Sequence, residues 1–155
     1  MNTKLNHISE FKVRDYECDL QGIVNNANYF HYLEQSRHEF LQQHNIDFKA
    51  AHDEGFDLVI AKAELDFIQS LKPSERFIVE LKFSLEGRLR YIFDQRIFRI
   101  SAGKLGMGVS AALHDEYLQA HDLILKAKIS CVCVDRKRAK PCKFPALESI
   151  LETSK

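Results

Sequence analysis

Long hydrophobic runs, an excess of charge and an export signal are all missing from this sequence. Its apolar stretches are only a few residues long, whereas a membrane span needs about 20. Residues 1–12 alternate polar and apolar and contain no core of a signal peptide. We therefore expect a soluble, cytoplasmic protein with no membrane span.

Charge of one sign is also lacking, because 22 acidic residues balance 22 basic ones. A balanced chain produces no overall field that would favour DNA or RNA, so we expect no nucleic-acid partner. The length of 155 residues suits one domain that buries roughly 70% of the surface of its unfolded form. We predict a single domain over residues 1–155.

Cysteines are few: the chain has Cys18, Cys131, Cys133 and Cys142. Without an export signal they are expected to be thiols. Cys131 and Cys133 alternate on one face of a predicted strand, where small thiols fit a core. His31 and His38 share a helix face, but no third ligand is in register with them. We expect no metal and no other cofactor.

Hydrophobic periodicity predicts five strands and one long helix. The strands cover residues 8–16 (regular from Phe11), 58–68, 77–85, 89–100 and 122–135. The helix runs from residue 28 to about 44, with an N-cap at Asn25, Asn26 or Asn28 and a left-handed end near Asn45. Its apolar stripe consists of Tyr29, Phe30, Leu33, Phe40 and Leu41.

The remaining segments are connectors. Residues 47–55 can contain one helical turn, residues 101–109 form a loop or a frayed hairpin, and residues 136–141 form a basic turn. Pro145 is predicted to open a short terminal helix. An antiparallel five-stranded sheet wrapped around one long central helix, an α+β fold, satisfies this order.

The segment from Asp19 to Tyr29 places an acid beside the start of the long helix. A helix start presents unpaired N–H groups and a partial positive charge, which suits the oxygen of a reacting carbonyl. The same aspartate could instead be a turn residue that only accepts backbone N–H groups. We expect Gly22, Ile23 and Val24, together with Tyr29, to contact a substrate.

The order of residues in this segment resembles the 4-hydroxybenzoyl-CoA thioesterase family of the hotdog fold. The motif is an Asp-x-x-Gly-Ile-Val turn beginning at Asp19, then Asn28-Tyr29, then a helix with Leu33-Glu34-x-x-Arg37. The close of the chain, with Cys133-Val134-Asp135 before Lys140-Pro141, resembles bacterial short-chain members. The likeness covers nearly the whole chain, although residues 99–118 form a longer segment than is usual in the family.

The resemblance implies roles for two residues. Asp19 matches the family's catalytic carboxylate, which acts as a nucleophile or through a water. Asn26 matches the position whose backbone N–H holds the thioester oxygen, although several relatives carry histidine or tyrosine there. Glu34 on the helix is a secondary candidate, because other hotdog thioesterases place their carboxylate on this helix. An ion pair between Glu34 and Arg37 is the structural alternative.

The expected function is hydrolysis of a small or medium acyl-CoA. Coenzyme A carries phosphates, for which the candidate cations are Arg88, Arg90, Lys137, Arg138 and Lys140. Two alternatives stay open: an acyl-carrier-protein thioesterase, and a non-catalytic acyl-CoA-binding protein. The resemblance also implies a homodimer, with sheets joined edge to edge and the active site at the seam, or a homotetramer built from two such dimers.

Overall fold

Six antiparallel strands and three α-helices occur in the residues that this computed structural model describes, which are 5–101, 118 and 121–153. The strands are β1 Leu5–Lys12, β2 Phe56–Phe67, β3 Arg76–Glu86, β4 Arg90–Arg99, β5 Asp122–Asp135 and β6 Lys140–Cys142. The helices are α1 Asn26–Gln43, α2 Phe48–Glu54 and α3 Pro145–Thr153. A curled antiparallel sheet against one long helix is the hotdog architecture, so the predicted fold class is confirmed.

The strands follow the order β1-β3-β4-β5-β2, and β6 pairs with the last three residues of β5. At one end of the sheet Lys12 of β1 pairs with Arg76 of β3. At the other end Glu86 of β3 pairs with Arg90 of β4. Because a strand rises about 3.3 Å per residue, the two ends of β3 lie about 30 Å apart.

The inner face of the sheet packs against α1 and forms the main core. Its members from β3 and β5 are Phe77, Val79, Leu81, Phe83, Leu125, Ala127, Ile129, Cys131 and Cys133. The prediction that Cys131 and Cys133 share one face of a strand and fit the core is therefore confirmed.

The outer face of the sheet is partly covered as well. A second apolar cluster there consists of Ile8, Ile78, Phe98 and Leu118. Glu80 is only 5% exposed, because its carboxylate pairs with Arg96 Nε at 2.5 Å and with Lys82 Nζ at 3.4 Å. A buried charge of this kind is tolerated because it is paired.

Helix α1 begins two residues earlier than predicted, because Asn25 is its N-cap. The end near Asn45 is confirmed by the positive φ of 58° at that residue. Phe30 was expected on the buried stripe but is 42% exposed, whereas Tyr32 is buried. The stripe follows positions 29, 32, 33, 36, 37, 40 and 41, which is the spacing of one helix face.

Two other boundaries differ from the prediction. The first strand ends at Lys12, and the chain then forms a 3₁₀ turn, Asp15–Glu17, in which Tyr16 is 75% exposed. The connector at residues 47–55 is a full helix, α2, capped by the Asp47 carboxylate and ended by Gly55 at a φ of 98°. The predicted loop at residues 101–109 lies outside the described residues from position 102 onward.

The C-terminal helix α3 begins at Pro145, as predicted. Tyr91 of β4 holds it against the sheet. The phenol of Tyr91 donates to Glu148 Oε1 at 3.0 Å and accepts from the Phe144 N–H at 2.8 Å. Burial, before any other cause, raises the pKa of this phenol.

Candidate active site

Asp19 begins a tight turn between β1 and α1. Its carbonyl accepts from the Gly22 N–H at 3.0 Å, and its own N–H donates to the Ile23 carbonyl at 2.9 Å. Gly22 has a φ of 76°, a left-handed conformation that glycine adopts without steric cost. Leu20 at the tip of this turn is fully exposed.

The Asp19 carboxylate uses one of its oxygens within this turn. Oδ1 accepts from the Gln21 N–H at 2.8 Å, which is the turn role considered for this residue. Among the described residues, Oδ2 has no hydrogen-bond or ion-pair partner. The half-buried side chain therefore has one fixed oxygen and one available oxygen.

The start of α1 leaves one backbone donor unused. The Asn25 carboxamide accepts from the Ala27 N–H at 3.0 Å, and the Asn28 N–H donates to the Asn25 carbonyl at 2.9 Å. No hydrogen bond of the Asn26 N–H to another described residue occurs. This N–H lies at the positive end of the helix dipole, a suitable donor to a carbonyl oxygen.

Glu17, a residue that the sequence interpretation did not single out, joins the two sides of this loop. Its carbonyl accepts from the Asn25 N–H at 3.0 Å and from Asn28 Nδ2 at 2.7 Å. Its carboxylate accepts from Tyr32 Oη at 2.7 Å. It also accepts from the backbone N–H of Arg14 at 2.9 Å and from the Arg14 guanidinium at 2.8 Å. For the local part of this arrangement the sequence signal was a glutamate three residues after Arg14, from which its carboxylate reaches back to the Arg14 N–H.

Glu17 is 5% exposed, and two opposing effects act on its pKa. Burial is the largest single effect and raises the pKa of the carboxyl group. The hydrogen bonds from Arg14 and Tyr32 outweigh burial, so the pKa of Glu17 lies below its usual range. The group is thus a buried, hydrogen-bonded anion at neutral pH.

The loop before β3 supports the other side of the candidate site. The Leu71 carbonyl accepts from the Val24 N–H at 2.9 Å, and the Leu71 N–H donates to Tyr29 Oη at 3.1 Å. Arg99 holds this loop by donating to the Ser70 carbonyl at 2.7 Å and to Glu75 at 3.1 Å. Leu71 therefore links the Asp19 turn to the first turn of α1.

The predicted substrate contacts divide into two groups. Val24 and Tyr29 are buried in the main core, where burial raises the pKa of the Tyr29 phenol. Gly22 is exposed and Ile23 is half-buried, so both border open space beside Asp19. Phe67 at the end of β2 contacts the Tyr29 ring, with centroids 5.7 Å apart, and is 52% exposed. Phe67 is therefore an additional apolar side chain at this end of the sheet.

Glu34 lies exposed on α1 and does not pair with Arg37. Its carboxylate is 3.8 Å from His38 Nε2. Arg37 turns inward, where Nη1 donates to Gln95 Oε1 at 3.0 Å, and burial lowers its pKa. The expected i, i+3 ion pair is wrong, because residue 37 belongs to the buried helix face whereas residue 34 faces solvent.

All five candidate cations are exposed, and they lie far from Asp19 within the chain. They are Arg88, Arg90, Lys137, Arg138 and Lys140. Arg90 begins β4 opposite Glu86, and the other members lie in or beside the turns at the same end of the sheet. The Asp19 turn follows β1 at the opposite end, about 30 Å away. One chain therefore does not bring the cations and the carboxylate together.

The cysteines are free thiols. Cys131 and Cys133 are buried, as predicted, and burial raises the pKa of Cys131 to about 11. Burial, followed by the contact with Cys142, raises the pKa of Cys133 to about 12. The Cys142 thiol donates to Cys133 Sγ across 3.5 Å.

The described residues were also compared with the requirements of a metal site and of a membrane-spanning helix. Within it, no group of three or more His, Cys, Asp or Glu side chains is arranged to hold a metal ion. None of its helices has the length and apolar content that crossing a bilayer requires. A cleft of about 780 Å³ between β1 and α1 is lined in part by Glu17, Tyr32 and Glu34, but not by Asp19 or Asn26.

Comparison with known proteins identifies the family of this chain. Residues 13–152 match the model of the thioesterase-like superfamily. Acyl-acyl carrier protein thioesterase ATL3, chloroplastic, of Arabidopsis thaliana is 37% identical over 94 residues, which cover 61% of this chain and 50% of the relative. ATL2 of the same plant, with the same description, is 32% identical over 140 residues, which cover 90% and 64%. The chain thus spans between half and two-thirds of these relatives.

A bacterial relative and a solved structure match more evenly in length. Acyl-CoA thioesterase YbgC of Haemophilus influenzae is 25% identical over 138 residues, which cover 87% of each chain. The crystal structure of Slr0204, a 1,4-dihydroxy-2-naphthoyl-CoA thioesterase from Synechocystis, superposes with a TM-score of 0.78. That match has 16% identity and covers 94% of this chain and 95% of the other, so it shows a shared fold.

Proposed function

Because this chain belongs to the thioesterase-like superfamily, we propose that it hydrolyses acyl thioesters, with acyl-CoA as the substrate class. One observation carries the proposal. The Asp19 carboxylate has an available Oδ2, and the same loop ends at an unused N–H, that of Asn26. A group that attacks and a donor that receives negative charge are the two parts that thioester hydrolysis needs.

In the proposed reaction, the thioester oxygen accepts from the Asn26 N–H. Asp19 Oδ2 either attacks the carbonyl carbon or takes a proton from a water that attacks it. The tetrahedral oxyanion then collapses, the C–S bond breaks, and the thiolate leaves and is protonated. In the first route a water then cleaves the mixed anhydride, which regenerates the Asp19 carboxylate and supplies the proton for the thiolate. In the second route Asp19 passes on the proton that it took from the attacking water. Neither route changes an oxidation state, so the bond changes consume no oxidant or reductant.

We further propose that the working unit is a homodimer joined along β2. This strand is a sheet edge within the described residues and exposes Val59, Ile60 and Phe67. An uncovered apolar edge favours pairing with another strand. β2 begins at the cationic end of the sheet and ends at Phe67, beside Tyr29. A two-fold pairing of β2 strands would therefore place the cations of one subunit beside the Asp19 turn of the other.

The acyl-carrier-protein thioester is the second candidate substrate. ATL3 and ATL2 are described as acyl-acyl carrier protein thioesterases, whereas YbgC is described as an acyl-CoA thioesterase. Both carriers present the acyl group as a thioester of the same pantetheine arm. A cationic rim would suit the phosphates of coenzyme A as well as an acidic carrier protein. Acyl groups matched on the two carriers distinguish these candidates by their kcat/KM values.

The test of the reaction is thiol release from aliphatic and aromatic acyl-CoAs and from the matched carrier-protein thioesters. Asp19→Asn should lower kcat by about 100-fold or more, the effect expected for an acid–base group or nucleophile. Asp15→Asn is the matched control, because Asp15 is exposed in the same loop and should be replaceable without loss.

Three results would contradict parts of this proposal. Full activity in Asp19→Asn together with loss in Glu34→Gln would move the carboxylate to α1. Tight binding of acyl-CoA without turnover by the parent would indicate a binding protein. Turnover restricted to the carrier-protein thioesters would replace acyl-CoA by the second candidate.

A further inference from the structure

Glu17 is buried in the loop between β1 and α1 and forms hydrogen bonds with four other residues, Arg14, Asn25, Asn28 and Tyr32. Its side chain and its carbonyl both bind parts of the chain that flank the proposed reaction centre. Asp19 follows two residues later on one side of the loop, and Asn26 follows the Glu17-bound Asn25 on the other side. The contacts of Glu17 thus join the two parts of the loop that carry these groups.

The carboxylate is the part of Glu17 that fixes its place. Tyr32 reaches it from the second turn of α1 at 2.7 Å, and Arg14 reaches it from the end of β1 with backbone and guanidinium donors. With the side chain held from both sides, the Glu17 carbonyl faces the start of α1. It then binds the N–H of Asn25 and the carboxamide of Asn28 at 3.0 and 2.7 Å.

We propose that Glu17 is a positioning residue of the reaction: its buried carboxylate locks the loop onto α1 and sets the separation between the Asp19 carboxylate and the Asn26 N–H. This inference rests on the proposed function. Glu17 acts through the backbone, so it changes the geometry at the reacting carbonyl without touching the substrate. Small displacements of reacting groups cost large factors in rate, on the order of 100-fold for 1 Å.

The main variant is Glu17→Gln, which keeps the shape of the side chain and removes its charge. We expect kcat for thiol release to fall roughly 10- to 100-fold, while KM stays close to the parental value because substrate contacts remain. The acid limb of the pH–rate profile should remain in this variant, because Glu17 itself does not react with the substrate. A disappearance of that limb would make Glu17 the reacting carboxylate and overturn the proposal.

Glu80→Gln is the matched control. Glu80 is also 5% exposed and also pairs with an arginine, Arg96, but it lies on the outer face of the sheet, away from the loop. Because each substitution removes a buried ion pair, both variants should have a lower Tm than the parent. Only Glu17→Gln should lower kcat at a temperature at which both variants are folded. An equal fall of kcat in both would show a general effect of instability and would overturn the proposal.

Tyr32→Phe and the double variant with Glu17→Gln complete the test. If the two side chains act through their shared hydrogen bond, the double variant should lose no more activity than Glu17→Gln. Additive losses would contradict a common action.

A readout without turnover separates this inference from the proposed function. In protein labelled with ¹⁵N-asparagine, the amide signals of Asn25 and Asn26 should shift in Glu17→Gln and stay in place in Glu80→Gln. If the parent hydrolyses no thioester, the proposed function fails, and the kinetic role fails with it. If the parent is active but the two amides do not move in Glu17→Gln, the positioning role alone fails.

Discussion

The buried Glu17 carboxylate should make the stability of the protein depend on acid. Its folded pKa lies below the usual value, so its stabilisation is fully present above its unfolded pKa and is lost as pH falls through the folded pKa. We expect Glu17→Gln to lower the free energy of unfolding by about 2 kcal/mol at pH 7, the range for a hydrogen bond to a charged group. Denaturant unfolding should show this difference shrinking below about pH 4.

An opposite trend, with the difference growing toward low pH, would contradict a lowered pKa at this position. Glu64→Gln is a suitable comparison because Glu64 is an exposed carboxylate bonded to Lys62, and removing it should change the unfolding free energy little at either pH.

At the scale of single residues, local sequence predicted the turn and cap residues but not the buried partners of Glu17 and Arg37. Asp19, Gly22 and the asparagines near the helix start were recognisable because a turn and a cap need those residue types. Glu17 was not, because half of its contacts come from Tyr32 and Asn28, which tertiary structure brings near. The inward turn of Arg37 onto Gln95 depends in the same way on a distant strand.

At the scale of elements, the N-cap of α1 gives a direct prediction. Asn25→Ala should destabilise the protein by about 1 kcal/mol, because the Ala27 N–H then loses its side-chain acceptor. Asn26→Ala is the control, since the Asn26 side chain is exposed and is not the cap. Thermal unfolding of both variants checks this, and equal destabilisation would mean that Asn25 does not act as the cap.

Strands were easier to predict than the segments that join them. Apolar residues at every second position made β3 and β5 visible in the sequence, although β3 buries both faces from Phe77 to Leu81. The 3₁₀ turn at Asp15–Glu17 was read as strand because Tyr16 continued the alternation, although it points to solvent. The helix α2 is short, and its cap, Asp47, is also a common turn residue, so a connector was the simpler interpretation.

At the scale of the whole molecule, the proposed dimer depends on the edge strand β2. Ile60→Lys should lower the measured mass in solution from dimer to monomer, because a charge replaces an apolar side chain that is 49% exposed in the single chain. Thiol release should fall with it if the cations act across the seam. Sedimentation equilibrium and the assay above measure the two effects.

Ala50→Lys places the same charge on the exposed side of α2, outside the strand that is proposed to pair, and should leave the mass unchanged. A parent that sediments as a monomer, or an Ile60→Lys variant that remains an active dimer, would contradict pairing through this edge.

The sequence predicted the fold class but not which turns lie at the same end of the sheet. The central helix and antiparallel pairing follow from the spacing of hairpins along the chain, whereas the sixth strand, β6, was read as part of a basic turn. The separation of the basic turns from Asp19 does not, because it depends on which ends of the strands coincide. The candidate cations and Asp19, which were expected to form one site, therefore lie at opposite ends of the sheet within one chain.

Leu20 offers a practical use for the shape of the Asp19 turn. Its side chain is wholly in solvent at the tip, and the chain has no tryptophan. Leu20→Trp would therefore introduce a single indole fluorophore directly beside Asp19. Because the Leu20 side chain is fully exposed, the substitution should not disturb the packing of the protein. The indole emission would report the arrival of an acyl group at this turn in real time, even for a substrate that releases no coloured product.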